Sequence, residues 1–432
     1  MNKNIKLAVA GAVLALSATA DAGIIIPAGD WTLDIGGNVN TFVTSTRSTG
    51  AAGLGGGIYG AYDANSTGAK TESNITTGLL PNYLSVSGST RQNDLDVAFT
   101  ISINPGSSTT RSGIQSANQE NRQAFLTFGD KSWGTIKIGK DIGVFAQDAI
   151  LNDMTLLGVG RGAGGLAGNT TTTGRIGSGF MYADWKSQAN YTTPNMGGFQ
   201  ATVGVSQAWN AWSISDAAGA SGTATGTASG SATSSGRGES TPAMDFKASY
   251  SFAANDITGK IWTSATRQKV KSLAAYAASS TTRTAIVGGD DDAWAADVGA
   301  NVNVAGFGLT GYYYNGEGIG QTHQLLDGFS AVDGKKRDSD GGYVQATYVL
   351  PTKTKLGVAW GESNLDRANA SDTLGDTKDE LWTVGAYHPL TKHLNLVAEY
   401  NHATHEVRNS TTSANNGELK AKNVSLGAIL FF

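Results

Sequence analysis

Apolar and polar side chains alternate along many short stretches of this chain. In residues 95–103, every second position is a large apolar residue and the positions between are small or polar. The last stretch of the chain repeats the pattern, with Val424, Leu426, Ala428, Leu430 and Phe432 on one parity. A period of two is that of a β-strand with one apolar and one polar face. The sequence therefore predicts an all-β fold.

Sixteen such strands are predicted, and the connections between them alternate in length. Seven are short turns, such as 91–94 and 130–134, and eight are longer loops, such as the low-complexity Gly/Ser/Ala/Thr stretch 210–242. This asymmetry is typical of a transmembrane barrel, in which short turns gather at one rim and long loops at the other. Sixteen strands enclose an aqueous channel, whereas about eight are filled by side chains. We therefore predict a 16-stranded, transmembrane, antiparallel β-barrel with short periplasmic turns and long external loops.

Composition agrees with a barrel better than with a helical membrane protein. The mean hydropathy is −0.19, and the chain has 58 glycines and no cysteine. Because apolar and polar residues alternate, a barrel can have a lipid-facing surface although its mean hydropathy is slightly polar. After the first 22 residues, no segment has the apolar run that a membrane-spanning helix needs. The net charge of −4 argues against a nucleic-acid partner. Five scattered histidines, of which only His402 and His405 are close in sequence, predict neither a metal site nor a cofactor.

The first 22 residues have the features of a secretory signal peptide. A short basic start, which contains Lys3 and Lys6, precedes an apolar stretch at 7–18. Ala20-Asp-Ala22 then fits a small-residue cleavage site before Gly23. We expect residues 1–22 to be removed and residues 23–432 to form a single barrel domain. We therefore expect an exported barrel of this kind to lie in the bacterial outer membrane.

Three motifs carry a resemblance to a known family. They are Arg122-Gln-Ala-Phe-Leu-Thr-Phe-Gly, Trp133-Gly-Thr-Ile-Lys-Ile-Gly-Lys and Phe145-Ala-Gln-Asp-Ala-Ile-Leu. This region resembles the general diffusion porins of Gram-negative bacteria, which are trimeric, 16-stranded channels. The resemblance implies a third external loop folded into the pore, a homotrimer, and passive diffusion of small hydrophilic solutes and ions. It also implies contact with outer-membrane lipid and lipopolysaccharide, and a terminal Phe432 that the barrel-assembly machinery reads as its signal.

The same resemblance implies which residues line the pore constriction. Basic wall positions oppose acidic positions on the third loop, and the residues that match are Arg122, Lys140, Asp148, Asp153, Arg161 and Arg175. The loop tip at 156–165 departs from the family pattern, since it has no carboxylate and contains Arg161. The first two strands have Asn38 and Ser85 near places that are often basic. The sign of the ion selectivity therefore stays open.

Alternation by itself predicts further charged residues that face the lumen, namely Asp96, Asp184, Lys186, Asp245, Lys247, Lys260 and Asp297. Two alternatives to a general porin remain: a substrate-specific channel, or a barrel that acts as an adhesin or an electron-conduit sleeve. The inward aromatic candidates Trp262, Tyr312 and Tyr314 are too few to argue a solute track. The chain has no Gly-x-Ser-x-Gly motif, and we expect it not to be an enzyme.

Overall fold

The computed structural model describes residues 23–51, 71–108, 119–162, 171–213, 231–234, 241–276, 283–286, 291–411 and 416–432. The first strands are β1 (Ile24–Ala28), β2 (Trp31–Gly50), β3 (Thr71–Thr76), β4 (Tyr83–Gln92), β5 (Leu95–Pro105), β6 (Gln119–Glu120), β7 (Ala124–Asp130), β8 (Gly134–Ile142), β9 (Trp185–Thr192), β10 (Phe199–Ser206) and β11 (Thr233–Ser234). They are followed by β12 (Ala243–Ala254), β13 (Ile257–Val270), β14 (Leu273–Tyr276), β15 (Arg283–Ala285), β16 (Asp291–Val304), β17 (Phe307–Glu317), β18 (Asp338–Val349), β19 (Lys355–Leu365), β20 (Asp376–Pro389), β21 (Leu394–Arg408) and β22 (Gly417–Phe431).

Eighteen of these spans form the sixteen strands of one closed antiparallel barrel. Two of the barrel strands are interrupted, since β3 and β4 together form one strand and β6 and β7 together form another. The barrel closes where β2 pairs with β22, from Asn38 opposite Phe431 to Gly50 opposite Leu419. The short β1 pairs with the start of β2, and β11, β14 and β15 form a separate small sheet. The predicted 16-stranded barrel is confirmed.

The alternation of the sequence becomes the two faces of the wall. On β10 and β12, Phe199, Val203 and Phe246 are exposed on the outer surface, whereas Asp245 is buried inside. In a membrane, the exposed apolar face meets lipid, and charged groups are tolerated on the other face. The described residues contain no helix that is long and apolar enough to cross a membrane.

Several strands are longer than the sequence pattern predicted. The Gly/Ala/Ser/Thr-rich composition from about residue 48 to residue 80 predicts a loop, but β2 continues to Gly50 and β3 pairs with it from Thr71 to Thr76. The last hairpin likewise reaches Arg408. In the opposite direction, the sequence pattern predicts a strand over residues 179–192, whereas β9 begins only at Trp185 and ends at Thr192.

The turns at the periplasmic rim are tight. Between β4 and β5, Asn93 and Asp94 have φ values of 48° and 61°. Positive φ at both central residues is the type I′ geometry, which matches the twist of the two flanking strands. Residues 214–230 and 235–240 of the low-complexity stretch lie outside the described residues.

Candidate functional site

The third external connection runs inside the barrel. We call residues 143–184, between β8 and β9, the inner loop; its described parts contain α1 (Gln147–Asn152) and a 3-10 turn at Met154–Leu157. Its backbone reaches wall strands that are distant from β8. The N–H of Ala146 donates to Ser264 Oγ on β13 (3.1 Å), and the carbonyl of Ala149 accepts from the Tyr343 hydroxyl on β18 (2.8 Å). The loop thus lies along the inner wall rather than outside the membrane.

An apolar patch on the inner wall explains this position. Several inward-facing side chains of β2 and β19–β22 are apolar, although the lumen of a channel is polar, and the inner loop covers them. The cluster consists of Met154 and Val159 from the inner loop and Phe42, Ala359, Tyr387, Val397, Ile429 and Phe431 from the wall. Burying about 100 Å² of apolar surface stabilises by roughly 2.5 kcal/mol. The loop tip therefore has Leu157 and Val159 where the family pattern often has carboxylates, because these two residues pack on the apolar wall.

Asp148 on α1 forms an ion-pair cluster with two wall lysines. Its carboxylate contacts Lys260 on β13 and lies 3.5 Å from the ammonium of Lys247 on β12. The side chain of Asp148 is 4% exposed, whereas those of Lys247 and Lys260 are 17% and 31% exposed. The structure therefore brings together a predicted loop carboxylate and two lysines that alternation had predicted to face the lumen. The cations, and not the carboxylate, are the accessible part of the cluster.

Asp153 is paired with Arg175 and is fully buried. The Arg175 Nε lies 3.4 Å from Asp153 Oδ1, and its other nitrogens donate to the carbonyl of Leu381 (2.8 Å) and to Thr383 Oγ1 (3.0 Å) on β20. Asp153 also accepts from the N–H of Thr155 and so caps the 3-10 turn. One prediction needs correction, since Arg175 lies in the inner loop and not on the following strand. Neither group meets the lumen, so their pairing fixes the loop.

Arg161 at the loop tip is also held by the wall. Its guanidinium lies 3.4 Å from Asp379 on β20 and donates to the carbonyl of Ile176 (2.6 Å). Asp379 in turn contacts the ring of His405 on β21 at 3.0 Å. His402 has the opposite parity on the same strand, so the two histidines lie on different faces of the wall. Among the described residues, no group of three or more His, Cys, Asp and Glu side chains could hold a metal ion.

Glu399 on β21 is a loop anchor that the sequence did not reveal. Its carboxylate accepts from the N–H groups of Val159 (2.9 Å) and Gly160 (2.8 Å) and from the Tyr387 hydroxyl (2.6 Å). Alternation on β21 places Glu399 on the face opposite Leu396 and Tyr400. This parity was the one sequence feature that could have indicated an inward-facing Glu399. Hydrogen bonds to an ionised acceptor are stronger than neutral ones.

Lys140 does not join the predicted constriction. It shares parity with Ile136 and Ile138 on β8, which places it on the outer face, and its ammonium donates to the carbonyl of Asn121 (2.8 Å). The inward basic residue on β8 is Lys137, which pairs with the buried Asp141. The prediction that Lys140 lines the constriction was therefore wrong, because its side chain faces the outer surface of the barrel.

Arg122 faces inward, but for a reason the sequence did not show. Its side chain is buried, and its Nε lies 2.7 Å from Glu120, while Nη1 lies 3.4 Å from the Tyr182 hydroxyl. Ile101 pairs with Ala124 and Asn104 pairs with Glu120, so three residues oppose two between these pairs. This β-bulge reverses the parity between Arg122 and Ala124. Arg122 is thereby placed with Glu120 and Tyr182, apart from the cluster at Asp148.

The terminal Phe432 lies beside β2. Its N–H donates to the carbonyl of Gly37 (3.0 Å), and its own carbonyl accepts from the N–H of Gly37 (2.8 Å). These bonds extend the pairing that closes the barrel. The predicted role of Phe432 as an assembly signal stays a prediction.

Comparison with known proteins agrees with this architecture. The family model described as Gram-negative porin matches residues 7–408. The chain is similar in structure to the outer-membrane channel DcaP of Acinetobacter baumannii, with a TM-score of 0.62 and 17% identity over 95% of this chain and all of that one. An anion-selective porin from Comamonas acidovorans has a TM-score of 0.56 at 14% identity, covering 93% of this chain and 100% of that one.

A third similar structure is OmpF of Salmonella typhi in complex with daunomycin, with a TM-score of 0.53 and 12% identity over 95% of this chain and 100% of that one. No curated protein sequence matches significantly. At these identities the structures show the fold, and the family match over almost the whole chain shows the relationship. The protein is an outer-membrane channel for passive diffusion, and the chain belongs to the Gram-negative porin family.

Proposed function

We propose that this porin is a general channel for small hydrophilic solutes that favours anions over cations. The observation that carries the proposal is the unequal exposure of paired charges. Lys137 and Lys260 side chains are 26% and 31% exposed, whereas their partners Asp141 and Asp148 are 5% and 4% exposed. A passing ion therefore meets ammonium groups first.

The geometry of the pore strengthens this effect. Lys137, Lys247 and Lys260 project inward from neighbouring parts of one wall, on β8, β12 and β13. A narrow channel with low-dielectric walls focuses the field of such groups and raises the local concentration of counter-ions. Asp153 contributes little at the lumen, because Arg175 neutralises it in a fully buried pair.

A substrate-specific channel has less support. Trp262 and Tyr312, which would be expected to line an aromatic solute track, are 2% and 5% exposed and belong to the core beneath the inner loop. We also propose that the protein catalyses no reaction, and that the barrel does not act as an adhesin or an electron-conduit sleeve. None of the charge clusters described above combines a nucleophile with a general base.

The assembly that we propose is a homotrimer embedded in outer-membrane lipid and lipopolysaccharide. Its chain would be exported by the signal peptide at 1–22 and inserted by the barrel-assembly machinery through Phe432. The family membership and the trimeric form reported for OmpT of Vibrio cholerae support the oligomeric state.

Planar-bilayer recording tests the proposal. Purified protein under a KCl gradient should insert in units of three equal conductance steps, with a reversal potential of the sign that chloride preference gives. A cation-selective reversal potential at low salt would contradict the assignment of the exposed lysines. Folded protein without any conductance would contradict the open channel itself.

A further inference from the structure

The barrel wall is interrupted between β3 and β4, beside β2. Thr76 pairs with Phe42, and Tyr83 pairs with Asn38. Between these pairs, β2 has three residues and its neighbour has six, at 77–82. The three extra residues cannot stay in the ladder and must leave the plane of the sheet. We call residues 77–82 the wall insert.

Hydrogen bonds to β2 hold the wall insert on the inner side. Asn40 Nδ2 donates to the carbonyl of Leu80 (2.9 Å), and Asn40 Oδ1 accepts from the N–H of Gly78 (2.9 Å). Asn38 Nδ2 donates to the carbonyl of Pro81 (2.9 Å). Asn38 and Asn40 are each 1% exposed, so these bonds are made away from bulk water. The insert is thus an ordered part of the wall.

The other side of the wall insert contacts the tip of the inner loop. The N–H of Leu79 donates to the carbonyl of Gly158 (2.9 Å), and the carbonyl of Gly78 accepts from the N–H of Thr172 (3.2 Å). Leu79 is 4% exposed and belongs to the apolar core of the inner loop. A Cβ on Gly78 would lie 2.4 Å from the Gly158 oxygen, so the two backbones meet as closely as glycine permits. The insert therefore bridges β2 and the inner loop.

We propose that the wall insert is a second constriction element, which sets the size limit of the channel together with the inner loop. The tip of the inner loop already reaches the wall beyond the insert, where Thr46 Oγ1 donates to the carbonyl of Gly162 (3.3 Å). With the insert in place, the lumen between the loop tip and β2 is closed. Solutes are confined to the side of the lumen that β4, β5, β7 and β8 line and that extends to Lys247 on β12 and Lys260 on β13.

The path that remains has a suitable surface for hydrophilic solutes. Ser85, Ser87, Thr100 and Thr127 are half-buried and lie on the inward parity of β4, β5 and β7, where the Ser87 and Thr100 hydroxyls bond each other at 2.9 Å. Uncharged hydroxyl groups line one side, and Lys137 on β8 follows them around the wall. The inference concerns the width of this path and goes beyond the ion preference proposed above.

Deletion of residues 80–82 tests the proposal. The deletion leaves Thr77, Gly78 and Leu79 opposite the three residues of β2, with Leu79 on the outer parity and Gly78 on the inner one. It also removes Pro81, which cannot donate a ladder hydrogen bond. The wall becomes regular and the bridge to the inner loop is lost. Single-channel conductance should rise roughly twofold, because it follows the open cross-section, and larger sugars should pass in liposome-swelling assays.

A second variant and a control complete the experiment. The double substitution Leu79→Ser/Leu80→Ser keeps the chain length and removes the apolar docking, so it should raise conductance in the same direction. Leu390→Ser makes the same chemical change at a residue that is 54% exposed in a periplasmic turn and should leave conductance unchanged. For each variant, the presence of detergent-resistant trimers shows that the protein has folded. If the deletion variant does not assemble, the conductance of the double variant decides the outcome. Folded variants with wild-type conductance and the wild-type sugar limit would overturn the proposal.

Discussion

Substitution of Asp148 by Asn should make the channel more anion-selective. Asp148 is the common partner of Lys247 and Lys260, and its buried carboxylate compensates one of their two charges. The amide has nearly the same shape and can still accept a hydrogen bond from Lys260. The substitution therefore adds one positive charge to the field of the lumen while changing little else.

The size of the effect follows from distance and screening. One unit charge about 8 Å from the ion path, in water, is worth about 0.5 kcal/mol. Anions then gain a factor of about two in local concentration and cations lose the same factor. Screening with a Debye length of about 10 Å at 0.1 M salt reduces the energy by roughly half. We expect the chloride-to-potassium permeability ratio to rise about twofold at that concentration, and to approach the wild-type ratio at about 1 M salt.

Reversal potentials of single trimers in a KCl gradient measure this ratio. Asp130→Asn is the matched control, because it makes the same charge change at the periplasmic rim, where Asp130 pairs with the exposed Arg91 at 2.9 Å. An unchanged ratio in Asp148→Asn at low salt would refute the assignment of the cluster to the ion path. An equal shift in Asp130→Asn would show that the effect is not local.

Three further changes test other parts of the structure. Glu399→Gln weakens the charge-assisted bonds to the loop tip, each worth about 1.5–3 kcal/mol, and should increase open-channel current noise; quiet recordings would speak against this anchor. In the external loops, Arg337 forms a buried bidentate pair with Asp372 (2.7 and 2.6 Å), and Asp372→Asn should cost about 3 kcal/mol, seen as faster proteolysis of the loops. Burial alone raises the pKa of Asp372, but the hydrogen bonds and charge of Arg337 lower that pKa below its usual value. The protection of the wild-type loops from proteolysis should therefore be full above a pH of about 4 and fall as the pH drops through the lowered pKa. Proteolysis that does not depend on pH would contradict the pair. Phe432→Ala should lower the yield of assembled trimer in the outer membrane without changing the conductance of the trimers that form, and a wild-type yield would remove its assembly role.

The strands could be predicted because a membrane imposes a strict pattern. Inside the bilayer each strand needs one apolar face, so the period of two is visible, as on β10 and β12. Beyond the bilayer both faces of a strand are polar, and the pattern disappears. The outer end of β2, formed by Ser48, Thr49 and Gly50, was therefore predicted as a loop although it pairs with β22.

The site was harder to predict, because its pairings join distant parts of the chain. Lys260 and Asp148 are 112 residues apart, and Glu399 and Val159 are 240 residues apart. No local pattern indicates which wall strand an inner loop will touch. Arg122 shows a second difficulty, since one inserted residue decides which face its side chain occupies. Lys140 was a different case, because the apolar residues at 136 and 138 already indicated the outer face.

The inner loop is attached to the wall at separate points along its path, on β13, β18, β20 and β21, and near β2. Mechanically, it acts as an internal brace. A bilayer whose thickness differs from that of the apolar band must deform around the protein at modest energetic cost. Because strand number and stagger fix the tilt of barrel strands, an unbraced barrel would respond to such a load by becoming more elliptical. Here any such deformation would have to break several buried ion pairs and hydrogen bonds at once. The narrowest part of the channel should therefore keep its dimensions when the membrane around it thins, thickens or comes under tension.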